Sequence, residues 1–134
     1  MEPRHRIFSL EQANAILPEL ESLLGVLELK QETFRRLEEE LFFVEILEKT
    51  SPPEIKFQEL ETALLALEGE IDRIRELGCF LRHVERGLVD FLAQRERDQK
   101  WIYYCWRRGE KEIQYYHTPG GGFLERQPLT ESEF

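Results

Sequence analysis

The candidates for chemistry are five side chains in the second half of the chain. They are His83, Asp90, Cys105, Glu110 and His117. Thiolate, imidazole and carboxylate groups are the usual protein ligands of zinc and related transition metals. No Cys-x-x-Cys, His-x-His or His-Glu-x-x-His spacing connects these residues. The sequence by itself therefore assigns no metal ligand, no cofactor and no catalytic residue.

Whether Cys105 and His117 can act together depends on the register of the hairpin that joins them. A two-residue turn at Gly109-Glu110 would pair Ile102 with His117 and put Cys105 on the opposite face of the sheet. A three-residue turn would pair Trp101 with His117 and put both side chains on one face. Only the second register allows a shared metal ion or a cysteine–histidine dyad for nucleophilic catalysis. The sequence leaves both registers open.

A pocket for a small ligand or peptide is a further candidate. Aromatic walls and charged groups lie near a glycine-rich loop at residues 119–122. The candidate ligand or interaction residues are Trp106, Arg107, Glu110, His117 and Arg126. An arginine and a histidine are suited to hold an anion, but the loop lacks the Lys-Ser/Thr of a P-loop. The structural alternative places Trp106 in the core and pairs Arg107 with Glu112 across strands.

The segments that carry these residues predict an antiparallel β-meander. They are rich in β-branched and aromatic residues and are separated by turn signals at Arg86-Gly87 and at residues 108–111. The predicted strands are residues 79–85, 88–93, 100–107 and 112–118. A closing segment follows at residues 123–129, and residues 130–134 are expected to form a frayed tail.

The first part of the chain predicts two long helices. Residues 9–12 match a capping box at the start of helix one, and Pro18 kinks or restarts that helix. An apolar heptad pattern, broken only by Lys30, covers residues 16–44, and the helix is expected to continue to about residue 49. After a Thr-Ser-Pro-Pro stop signal a second heptad run ends at Gly78. This pattern predicts an antiparallel coiled-coil hairpin.

The geometry of such a hairpin predicts two contacts. If the turn centres on residues 51–52, helix one overhangs helix two by residues 9–24, and we expect the sheet to pack on this apolar overhang. The end of the hairpin next to the turn carries more apolar side chains than the contact between the two helices can bury. We expect Phe42, Phe43, Ile46 and Leu47 to form an isologous oligomer interface. The alternative is that this end folds over its own loop.

Charge and composition limit the function classes. Residues 1–77 hold 9 Lys+Arg and 18 Asp+Glu, a net charge of 9 − 18 = −9, whereas residues 78–134 hold nine of each. Without a basic stripe, we expect no nucleic-acid partner and no binding to anionic membranes. We also expect no transmembrane helix and no signal peptide. Only two cysteines are present, which favours the reducing cytoplasm.

Several stretches, taken in order along the chain, resemble the domain of unknown function 2203 family. They are RIFSLEQAN at residues 6–14 with Leu17-Pro18, GLVDF at residues 87–91, Cys105-Trp106-Arg107 with Gly109-Glu110, Ile113 and His117, and Gly122-Phe123 with Arg126-Gln127-Pro128-Leu129. The family usually has a proline after the Asp-Phe pair, where this chain has Leu92. The resemblance implies a small cytosolic prokaryotic protein, and it implies no established activity.

Together these features predict an α+β protein with a single domain over residues 1–134. Residues 9–77 form the hairpin, residues 78–129 form the meander that packs on the N-terminal part of helix one, and residues 130–134 form the tail. We expect a non-enzymatic interaction or binding module that forms a homo-oligomer, with a dimer favoured, or binds another protein. The alternative is a small-molecule or metal-dependent activity at the polar-aromatic site on the sheet.

Overall fold

Helices fill the first part of the chain and short strands fill the second. The computed structural model describes residues 5–130, and its fold class is α+β with one antiparallel sheet, as predicted. Residues 5–24 and 73–130 form one compact unit, and residues 25–72 form another. Apart from Thr130, the predicted tail lies outside the described residues. Among the described helices, none combines the length and apolar character needed to cross a membrane.

The first helix begins where the capping box predicts. Helix α1 covers Leu10–Ala15, after Ser9 in extended conformation. The Ser9 Oγ accepts the Gln12 N–H, and the Gln12 Oε1 accepts the Ser9 N–H, both at 3.0 Å. A new helix then starts at Leu17. Pro18 is tolerated there because the first turn of a helix does not use the missing amide hydrogen.

The long helix packs against the next one. Helix α2 covers Leu17–Phe42 and continues as a π-helical turn at Phe43–Leu47, and helix α3 covers Glu54–Glu76. Lys30, which breaks the predicted heptad, lies with its Nζ 2.7 Å from Oε1 of the buried Glu70 on α3. Ala63 is also buried, whereas Leu64, a predicted seam residue, is exposed. The buried side of α3 is therefore displaced from the predicted seam.

Helix α3 is closed by a glycine in the left-handed backbone conformation, as predicted. Gly78 has φ +93°, and its N–H donates to the Arg75 carbonyl at 2.9 Å. The Gly78 carbonyl in turn accepts the Arg6 N–H at 3.1 Å. This turn leads directly from the helix into the first strand.

The sheet is a meander of five strands rather than the four predicted. They are β1 (Phe80–His83), β2 (Leu88–Gln94), β3 (Trp101–Arg107), β4 (Tyr115–His117) and β5 (Gln127–Pro128). Each strand pairs antiparallel with the next along the chain. The additional strand, β5, is part of the predicted closing segment, and it is a strand because it pairs with β4.

One face of the sheet carries apolar side chains and contacts the start of the chain. Phe8 packs edge-on against Phe91 with 5.1 Å between ring centroids, and the Phe8 N–H donates to the Leu92 carbonyl at 2.8 Å. The Ile113 N–H donates to Oδ1 of Asn14 on α1 at 2.8 Å. The two faces of a strand alternate, so the residues between these apolar positions lie on the opposite face.

Candidate functional site

Three buried residues with possible ligand atoms meet on that opposite face. Asp90 on β2 lies directly across from Cys105 on β3, and His117 on β4 lies across from Tyr103 on β3. The available atoms of Asp90, Cys105 and His117 all lie within 4.8 Å of one another. We call these three residues the polar cluster. They are buried to the same degree as the core.

The observed register differs from both registers that we considered for the β3–β4 hairpin. Tyr103, rather than Trp101 or Ile102, pairs with His117. The connection is long because residues 108–114 leave the sheet, and the Trp106 Nε1–H donates to the Glu110 carbonyl at 2.9 Å within it. Cys105 and His117 consequently share one face, as a joint site requires.

His117 is held by hydrogen bonds at both ring nitrogens. Nδ1 lies 2.8 Å from the Thr118 carbonyl oxygen, and Nε2 lies 2.9 Å from Oδ2 of Asp90. A carbonyl and a carboxylate both accept, so the ring carries a proton on each nitrogen when Asp90 is ionised. The hydrogen bond to Asp90 accordingly raises the pKa of His117, with burial acting in the opposite direction.

Arg82 is a fourth member of the site that the sequence did not indicate. The β1–β2 register shifts between Leu81 and His83 and leaves Arg82 as the extra residue of a β-bulge. Bulges redirect side chains, and here the Arg82 Nε–H donates to Oδ2 of Asp90 at 2.9 Å. No sequence signal marks this bulge. Oδ2 of Asp90 therefore lies within hydrogen-bond distance of both Arg82 and His117.

Cys105 is kept as a thiol in the described structure. Burial, together with the nearby negative charge of Asp90, raises the pKa of Cys105 to about 11, although Arg126 acts to lower it. A thiol with such a pKa is a poor nucleophile at neutral pH. The surroundings of Cys105 therefore do not activate it as a nucleophile.

A cavity opens directly on the polar cluster. Its volume is about 320 Å³, and Arg82, Asp90, Cys105 and His117 lie in its wall. Phe123 and three residues of the glycine-rich loop, Pro119, Gly121 and Gly122, also line the cavity. The cavity is large enough for an ion with its remaining ligands or for a small molecule.

The five residues predicted for ligand binding lie in different surroundings. Trp106 is fully buried on the apolar face, and Arg107 is exposed. Glu110 and Arg126 form a two-bond ion pair at 2.7 and 3.1 Å, and the guanidinium of Arg126 lies over the ring of Tyr115, 3.9 Å from its centroid. Of the five, His117 alone belongs to the polar cluster.

The sequence-based metal candidates also separate. Asp90, Cys105 and His117 come together, whereas Glu110 is engaged by Arg126. His83 is exposed, and its Nδ1 accepts the Arg86 N–H at 3.1 Å. The missing spacing motif is explained by the topology, because each ligand comes from a different strand.

A second candidate site lies where α2 ends and α3 begins. Six of the large apolar side chains there are between 45 and 62 % exposed. They are Phe42, Phe43, Ile46, Leu47, Ile55 and Phe57, and the first four are the predicted interface residues. We call these six residues the apolar end. All of them lie within the unit of residues 25–72.

Comparison with known proteins gives one match. A family described as an uncharacterized conserved protein, DUF2203, matches residues 6–129, which is nearly the whole chain. No curated protein and no solved structure matches the chain. The resemblance seen in the sequence is confirmed, and the chain belongs to the DUF2203 family.

Proposed function

We propose that this protein is a non-enzymatic interaction module that self-associates through the apolar end. The supporting observation is the exposure of six large apolar side chains in one short segment. Burying them against a partner would remove apolar surface from water, which is the dominant driving force of association. Contiguous exposed apolar surface of this kind marks interaction sites in monomeric folds.

A second copy of the chain is the partner that charge and area favour. Residues 25–72 carry a net charge of 5 − 13 = −8, but residues 41–57 contribute only 2 − 3 = −1 of it. Two apolar ends can therefore meet without strong repulsion. Half-exposed side chains of this size present on the order of 100 Å² each. Six of them offer roughly 600 Å², close to the ~800 Å² that each partner contributes to a stable interface.

We further infer the finer architecture that this function requires. Residues 25–72 would form an antiparallel coiled-coil hairpin with the apolar end at its turn, and the sheet would pack on residues 9–24. The Lys30–Glu70 contact supports the first inference, and the Asn14–Ile113 hydrogen bond supports the second. Free buried cysteines, Cys79 and Cys105, support action in the cytoplasm.

The test is the mass of the protein in solution for three forms. We expect a dimer for the wild type and a monomer for Phe43→Glu, because the substitution would bury a charge in the interface. Leu124→Glu is the matched control, since Leu124 is 93 % exposed and lies far along the chain, beside the glycine-rich loop. Analytical ultracentrifugation measures all three. A monomeric wild type, or a Phe43→Glu variant that remains a dimer, would refute the proposal.

A second candidate function is binding of a small ligand or metal at the sheet, and the cavity beside the polar cluster favours it. Buried ionisable groups that face a cavity are costly to keep for structure alone. This function uses His117 and its neighbours rather than the whole predicted set of five residues. It is compatible with self-association because the two sites share no residue.

A further inference from the structure

The polar cluster presents three different donor atoms within the reach of one metal ion. A carboxylate oxygen of Asp90, the Sγ of Cys105 and the Nε2 of His117 lie within 4.8 Å of one another. Tetrahedral coordination at the usual bond lengths of about 2.0–2.3 Å places ligand atoms roughly 3–4 Å apart. We propose that these three residues bind a divalent metal ion of the zinc class.

The orientation of His117 suits a metal ligand. Its Nδ1–H donates to the Thr118 carbonyl at 2.8 Å, which fixes the ring and directs Nε2 toward Asp90. Ligating histidines commonly donate their second N–H to a backbone carbonyl or a carboxylate in this way. The same backbone contact would persist after an ion replaces the proton on Nε2. The ring would therefore need little rearrangement on binding.

The contacts around the polar cluster are compatible with an ion at this position. Arg82 can stay on Asp90 and Arg126 can stay beside Cys105 as supporting contacts.

The donor set selects the class of metal. Magnesium and calcium prefer oxygen ligands alone, whereas sulfur, nitrogen and oxygen together suit zinc or a similar transition ion. Three protein ligands leave a fourth position, and the adjoining cavity gives it access to water or a small ligand. The inference rests on the second candidate function, the binding role of the cavity, and it is independent of self-association.

The experiment is a titration of chelator-treated, full-length protein with Zn²⁺ by calorimetry. Repeating the titration in buffers of different ionisation enthalpy gives the number of protons released on binding. We expect one ion per chain and release of one proton each from His117 and Cys105. Titration with Co²⁺ should add the thiolate charge-transfer absorption and the strong visible bands of a tetrahedral site. These spectra identify a sulfur ligand directly.

Variants assign the ligands with internal controls. Cys105→Ser and His117→Gln should each weaken Zn²⁺ binding by at least about a hundredfold, and Arg82→Gln by about tenfold as a supporting contact. Cys79→Ser and His83→Gln change the same residue types outside the cluster and should leave affinity unchanged. Circular dichroism accompanies each titration to establish that each variant is folded, and the wild-type cobalt spectrum tests the thiolate ligand without any variant.

Results that contradict the metal site can be distinguished from results that contradict ligand binding in the cavity. Absence of Zn²⁺ binding by the folded wild type, a cobalt spectrum without a thiolate band, or equal loss of affinity in Cys79→Ser would overturn the metal assignment. Inorganic phosphate is titrated in parallel. Phosphate binding that His117→Gln abolishes, without metal binding, would refute the metal while retaining the cavity as a ligand site. Binding of neither probe would also remove the support for the second candidate function.

Discussion

Lys30 on α2 places its ammonium group 2.7 Å from the carboxylate of Glu70 on α3, and Glu70 is only 2 % exposed. The lysine side chain remains 35 % exposed, so the pair lies at the border between the helix seam and solvent. A buried carboxylate is tolerated only with a compensating partner. This pair therefore places residues 30 and 70 on facing sides of the two helices within the unit of residues 25–72.

Removing the cation alone should destabilise the helix pair. Lys30→Met leaves the Glu70 carboxylate without that ammonium group. We expect a loss of about 2 kcal/mol in the free energy of unfolding, less than the roughly 3–5 kcal/mol for fully buried pairs. The double variant Lys30→Met/Glu70→Leu should recover most of this loss, because an apolar pair suits the seam.

Urea denaturation followed by circular dichroism measures these free energies. Arg36→Ala, an exposed substitution on the same helix, serves as the control and should change stability little. Equal stability of Lys30→Met and the wild type would show that the ion pair does not contribute. A double variant weaker than the single one would show that Glu70 has a second structural role.

The helices show which structural features can be predicted from neighbouring residues in the sequence. The capping box at Ser9 and the left-handed Gly78 depend on neighbouring residues, and both predictions are confirmed. Lys30 was visible as the break in the heptad, but its partner was not. Which side of α3 is buried depends on contacts between residues far apart in the chain, and Leu64, predicted for the seam, lies exposed.

The site was harder to predict because its members come from four elements. Residue types identified Asp90, Cys105 and His117 as possible ligands, but only the strand register brings them together. That register depends on the long loop after β3, which a rule based on tight turns does not describe. Arg82 depends on a bulge, and a bulge depends on backbone pairing rather than on a residue pattern.

Cys79 predicts a specific loss of stability at alkaline pH. Burial raises the pKa of the Cys79 thiol to about 11 from an ordinary value of 9.0, whereas the unfolded thiol keeps the ordinary value. The contribution of the buried Cys79 thiol to the free energy of unfolding is therefore complete below pH 9 and is lost as the pH rises toward 11. The difference of 11 − 9.0 = 2 pKa units corresponds to at most about 2–3 kcal/mol.

The measurement is the free energy of unfolding from pH 8 to pH 11, with chelator present. The wild type should lose stability faster over this range than Cys79→Ala, which has no thiol to titrate at that position. Any cavity left by the alanine lowers stability equally at every pH, so only the difference in slope is diagnostic. Parallel pH profiles for the two proteins would contradict the expected titration.

The two glycines Gly69 and Gly78 should respond in opposite directions to the same substitution. Gly69 lies inside α3, and a Cβ there would meet nothing within 4 Å. Gly69→Ala should stabilise the protein by about 0.5–1 kcal/mol because alanine loses less backbone entropy in a helix. Gly78 has φ +93°, and a Cβ there would lie 2.6 Å from Cγ of Arg6.

Gly78→Ala should therefore destabilise by about 1–2 kcal/mol, since it combines left-handed backbone strain with a steric conflict. Thermal and urea unfolding of both variants test the pair. Arg6→Ala in the Gly78→Ala background helps to separate the two causes, because it removes the contacts with Cγ and Cδ at 2.6 and 2.7 Å, keeps only the contact with Cβ at 2.9 Å, and leaves the backbone strain. If Gly78→Ala were as stabilising as Gly69→Ala, residue 78 could not hold the left-handed conformation that ends α3 and directs the chain into β1.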